Sequence, residues 1–125
     1  MLVASAERIA RARVWRKRYG AGMRQAGILA AAGRYALAHN VARLADDHDR
    51  AQRLAKALGA DPDLTPSNIL VLDVEDAAAV AGAASEQGVL VSALGPRFLR
   101  LVTHLDVDDD DIDHAIDVLR PLVLR

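Results

Sequence analysis

"VLVSALGPRFLRLVTHLDV", residues 89–107, holds two short apolar runs parted by a glycine-proline turn. Val89 to Leu94 reads as one strand, Gly95-Pro96 as the turn, and the run from Phe98 as a second strand. β-Branched and leucine residues bounded by chain breakers suit a pleated, half-buried ribbon. Alternation along the second run puts Phe98, Arg100, Val102 and His104 on one face and Leu99 and Leu101 on the other. A guanidinium is thereby set in the middle of an apolar strand.

Upstream, "NILVLDV", residues 68–74, is a short β-branched and leucine run, which predicts a strand covered on both faces. Between the strands, Ala77 to Gln87 is an alanine-rich helix ended by Gly88. A proline-containing loop, "ADPDLTPS" at 60–67, precedes the first strand. Before that loop, Val41, Leu44, His48, Ala51, Ala55 and Leu58 fall at helical steps, and the helix stops at Gly59. After the hairpin, Asp106 and Asp108 to Asp111 stand at the start of a last helix with Ile112, Ala115, Ile116 and Leu119 on its inner face.

The chain opens with a helix from about Ala6 to Arg18, with Ser5 as half a capping box and Ile9, Ala12 and Trp15 at helical spacing. Gly20 and Gly22 break it, and a second helix starts near Met23. Its body, Ala26 to Leu37, is apolar nearly all round, the pattern of a helix buried on several sides. Gly27 and Gly33 each cost about 1 kcal/mol against alanine there, which close approach of a neighbouring backbone would offset. His39 and Asn40 form a joint. The expected fold class is α+β: helices followed by a small sheet with flanking helices.

With 52% apolar but only 3% aromatic residues among 125, the core must pack on small side chains. A net charge of -1 provides no general field toward nucleic acid or membrane. The basic face of Arg11 to Arg18 is diluted by Glu7 and the acidic remainder, so no nucleic-acid partner is expected. The longest apolar run, Ala26 to Gly33, falls short of the roughly 20 residues that span a bilayer. The arginine-rich start is similar in composition to an organelle transit peptide, but the helical pattern runs on without a cleavage-like break. Cysteine is absent, which excludes disulfides, thiolate metal sites and a cysteine nucleophile and makes a reducing cytoplasm the expected location.

Consecutive aspartates at 108–111 point in different directions around a helix and lack the alternation of a calcium loop. His39, His48, His104 and His114 lack zinc-site spacing. No metal site is expected. Phosphate loops, nucleophile elbows and a strand-preceded dinucleotide fingerprint are also missing.

The candidate residues are cations. Arg100 needs either one of the chain's own aspartates or the carboxylate of a small molecule, gripped through both arms of the guanidinium. Arg24, at the start of the second helix, is either a solvated helix-end residue or a contact for an anion such as phosphate. Lys17, in "WRKR", taken alone is one cation of a wet face.

Four stretches carry more: "RKRYGAGMRQAGILAAAG" (16–33), "VARLADDHDRAQRLA" (41–55), "SNILVLDV" (67–74) and "RLVTHLDV" (100–107). In this order and spacing the chain resembles the carboxy-terminal part of a low-specificity L-threonine aldolase, a fold-type I pyridoxal phosphate-dependent lyase. Ala21 and Ser67 stand where that family commonly has glycine and threonine. The resemblance implies retro-aldol cleavage of L-threonine or a related β-hydroxy-α-amino acid to glycine and an aldehyde, with pyridoxal 5'-phosphate as the electron sink. It implies that Arg100 holds the substrate α-carboxylate. Lys17 and Arg24 would lie near the cofactor and its phosphate, reaching into the pocket of a neighbouring subunit.

Residues 1–40 would be helices connecting a large cofactor domain to a small one, and 41–125 the small domain itself. The family's large domain, with the lysine that binds the cofactor covalently, is not matched. The expected status is a fragment, a truncated product or half of a split enzyme, with no catalytic residue in this chain. The implied partners are an amino-acid substrate and a missing amino-terminal half or a homo-oligomer. The competing expectation is a non-catalytic truncated protein or oligomerisation module.

Overall fold

The computed structural model describes residues 2–124. Contacts divide the chain into two compact units, the first ending at Asn40 and the second beginning at Val41.

The first unit consists of two helices, α1 (Ala6–Arg18) and α2 (Ala26–His39). Ser5 caps α1, its hydroxyl accepting from the Arg8 amide at 3.4 Å. Past the last turn, Gly20 takes a φ of +74°, a torsion that side chains with a Cβ disfavour. Residues 24 and 25 form a turn, so α2 begins three residues later than the apolar pattern predicts. Arg24 therefore stands ahead of the helix, not in its first turn. No residue of α1 or α2 is buried. Ile28 is 75% exposed, so the expected burial of α2 is not met within this chain. Two short helices lack the surface to cover an element that is apolar on every side.

The second unit is a three-stranded antiparallel sheet with helices packed on it. Its elements are α3 (Leu44–Ala57), a 3-10 turn (Pro62–Leu64), β1 (Ile69–Asp73), α4 (Ala77–Ser85), β2 (Ser92–Ala93), β3 (Phe98–Val102) and α5 (Asp109–Val123). The strand order is β1-β3-β2, with Val71 and Ser92 paired to Arg100 from either side. One face is closed: Leu70, Leu72, Leu99 and Leu101 pack in a single core with residues such as Leu54, Ile112 and Leu119. Alanines fill its tightest places, with Ala55, Ala77 and Ala84 fully buried.

Two expectations need correction. β1 is covered on one face only, because Ile69 and Val71 remain exposed while Leu70 and Leu72 are buried. The run Val89–Leu94 pairs only at Ser92 and Ala93, since Val89 turns into the core and Leu90 out to solvent.

The aspartate run is resolved by α5. The Asp108 side chain accepts from the Asp110 and Asp111 amides, and the Asp111 side chain accepts from the Asp108 amide, closing a capping box. Asp109 instead bonds Arg50 at 2.9 Å, and Asp113 bonds Arg53, which ties α5 to α3. The Arg50 hydrogen bond holds the Asp109 carboxyl below its ordinary range. Among the described residues there is no group of metal-binding side chains, and no helix is long and apolar enough to cross a membrane.

Gly59 ends α3 at a φ of +77°, where an added Cβ would come within 2.9 Å of a Leu124 methyl. Gly59→Ala is expected to cost about 1–2 kcal/mol for the left-handed torsion, with crowding in addition. Urea unfolding followed by far-UV circular dichroism checks this, and an unchanged midpoint refutes it.

Candidate functional site

β3 delivers Arg100 to the open face of the sheet. Its neighbours in sequence, Leu99 and Leu101, are held in the core, and the pleat turns Phe98, Arg100 and Val102 the other way. On this face Arg100 sits between Val71 and Ser92, with Phe98 and Val102 along its own strand. The Nε of Arg100 is buried and has no hydrogen-bond partner. Desolvating a charged donor without a partner is costly, so the position favours an acceptor arriving from outside. Asp73, an acid on the same face of β1, is bonded to Arg97 at 2.9 Å. No ion pair to Arg100 occurs among the described residues.

Three polar residues at the end of this strand pair escaped the sequence reading. Thr103 is 2% exposed, and its hydroxyl donates to the Asp47 carbonyl at 2.6 Å. Asn68 donates from its side-chain amide to the Thr103 carbonyl at 2.7 Å, and the Thr103 amide donates to the Asn68 carbonyl at 3.0 Å. The Asp47 carboxylate, also buried, takes both arms of Arg43 at 3.1 and 3.3 Å. The available signal was parity: Thr103 follows Leu99 and Leu101 on the core side, where a hydroxyl needs a partner.

Lys17 and Arg24 belong to the first unit. The basic cluster is sorted by its neighbours, because Arg18 lies over the Trp15 ring at 4.9 Å. Lys17 instead runs toward the glycine turn, its Nζ 3.9 Å from where a Gly22 Cβ would stand. The fold thus brings Lys17 to the turn that leads into Arg24. Glu7 is the sole acidic side chain before Asp46, so this turn is cationic although the whole chain is nearly neutral. Arg100 lies in the other unit.

A cavity of about 310 Å³ also opens beside β3 and α5, lined by Leu90, Val102, His104, Asp111 and His114 among others. None of Lys17, Arg24 and Arg100 lines it. His114 Nε2 is engaged by the Gln87 carbonyl at 2.9 Å. The cavity is a gap at the edge of the core, apart from the cationic positions.

A model of the beta-eliminating lyase family matches residues 1–77. The chain belongs to the beta-eliminating lyase family. The family match includes Lys17 and Arg24 and stops short of Arg100. Along its whole length this beta-eliminating lyase chain is 47% identical to the low specificity L-threonine aldolases of Escherichia coli O157:H7 and Escherichia coli K12. It is 34% identical, again over all of its length, to a probable low-specificity L-threonine aldolase of Schizosaccharomyces pombe. The chain spans 38% of the length of the two bacterial relatives and 33% of the yeast one. The resemblance read from the four motif stretches therefore extends over the entire chain.

Proposed function

We propose that this chain supplies the substrate-binding arginine and part of the cofactor surroundings of a pyridoxal phosphate-dependent threonine aldolase. The reaction would cleave L-threonine, or a related β-hydroxy-α-amino acid, to glycine and an aldehyde. The observation that carries this is the buried, unpaired Nε of Arg100 on a sheet face where the one acid, Asp73, is already bonded to Arg97. A planar guanidinium in that setting matches a carboxylate through paired N–H donors. Val71, Phe98 and Val102 flank it on that face, each about half exposed and open to an incoming ligand. Holding the α-carboxylate there fixes the amino acid in one orientation, and with it the direction of its Cα–Cβ bond.

Pyridoxal phosphate, when bound, supplies a sink for the electron pair left by Cα–Cβ cleavage. The residues present fit its anionic end: Lys17 over Gly22 and Arg24 beyond the turn offer positive charge where the backbone has no bulk. They do not fit its covalent attachment. The chain's two lysines are Lys17, at that turn, and Lys56, exposed on α3. The attaching lysine is assigned to the part of the relatives that the chain does not span, and turnover by the chain alone is not expected.

The test is to combine the chain with the remaining part of the Escherichia coli relative and pyridoxal phosphate, and to assay glycine released from L-threonine. Glycine should appear only in the combination. A combination that binds the cofactor and yields none overturns the proposal. The exposure of Ile28, Leu29, Tyr35 and Leu37 on α2 favours a second, compatible role in homo-oligomer formation. Sedimentation that stays monomeric across concentration removes that role.

A further inference from the structure

β3 is supported unequally along its length. β2 pairs only with Leu99 and Arg100, so from Leu101 onward the strand is bonded on the β1 side alone. Its regular pairing with β1 ends at Ile69 and Val102, two steps beyond Arg100. A strand end with one neighbour opens readily, and a slip of one residue would exchange the faces, sending Arg100 toward the core.

The fold closes this end with the Thr103 cluster. The two bonds exchanged between Asn68 and Thr103 extend the ladder one step past Val102. The Thr103 hydroxyl fastens that step to α3 through the Asp47 carbonyl. Asp47 is in turn fixed by Arg43, so the anchor belongs to a helix rather than to a loop. Three elements, α3, β1 and β3, meet at one buried hydroxyl.

We infer that Thr103 is a positioning residue for Arg100: through Asp47 and Asn68 it locks the register and the end of β3, and so keeps the guanidinium on the open face with its Nε shielded. The functional value of this rests on the carboxylate-binding role of Arg100 proposed above; the mechanical part does not.

The test measures hydrogen exchange at the Arg100 Nε–H by NMR in the 125-residue chain, without ligand. The wild-type Nε–H should be protected relative to that of exposed Arg11. Thr103→Val keeps the shape but removes the donor, and should accelerate exchange at Arg100 Nε roughly tenfold or more. The Leu119 amide, deep in α5, should change by less than about twofold because its opening is a separate event. Thr103→Ser restores the hydroxyl and should restore protection. If Thr103→Val does not fold, Asn68→Ala removes one arm of the same lock at a half-buried site and is read in the same way. Unchanged protection at Arg100 Nε, or equal acceleration at Arg100 and Leu119, overturns the inference. Acetate titration of the wild-type Nε resonance separates the two ideas: no shift sinks the carboxylate reading alone, since protection is measured without it.

Discussion

Replacing Leu99 by alanine is expected to destabilise the second unit by about 3 kcal/mol, near the middle of the range for leucine truncations in closed cores. Leu99 is fully buried on β3, flanked by Leu72 on β1 and Ala93 on β2. Around it the core is mostly leucine and isoleucine, against the small-residue core that the composition predicts, but Ala55, Ala77 and Ala84 hold its tightest places and cannot swing into a hole as longer residues could. The cavity should therefore persist. Urea unfolding followed by far-UV circular dichroism measures the loss, and a change below about 1 kcal/mol would mean that the sheet does not seal the core as described.

Substituting Arg100 should have the largest effect on activity and little on folding. In the completed aldolase, Arg100→Ala is expected to lower kcat/KM for L-threonine roughly 100-fold, the value of a charge-assisted contact to a carboxylate. Arg100→Lys should recover only part of this, because an ammonium cannot reproduce the planar pair of donors. Stability should hold or rise in Arg100→Ala, since a shielded donor without a partner is removed. The opposite pattern, lost stability with kcat/KM intact, would make Arg100 a structural residue and refute its role in binding.

Legibility in the sequence followed the strength of local signals. The limits of α1, the capped start of α5 and the stop at Gly59 came from caps and breakers, which act within a turn of the chain. The side of β3 that carries Arg100 followed from parity alone. What failed depended on which surfaces meet. "NILVLDV" is apolar enough for two-sided burial, yet the chain's own helices cover only the Leu70 and Leu72 side. The same holds for α2, whose composition is that of a core helix and whose surroundings here are open. β2 shrank to two residues because hydrophobicity does not say how far a partner strand extends. Asp47, Asn68 and Thr103 were illegible for another reason: their bonds join positions 35 and 56 residues apart, and nothing local marks them as a set.

The single tryptophan has a practical consequence. Trp15 stands on α1, stacked on Tyr19, and the other tyrosine, Tyr35, lies on α2. Beyond Asn40 the only aromatic ring of the Phe, Tyr and Trp class is Phe98. Intrinsic fluorescence excited at the indole band therefore reads the surroundings of Trp15 on α1, and no indole stands in the sheet. A blue shift on mixing with another protein would mark a change around Trp15 on α1 without any label.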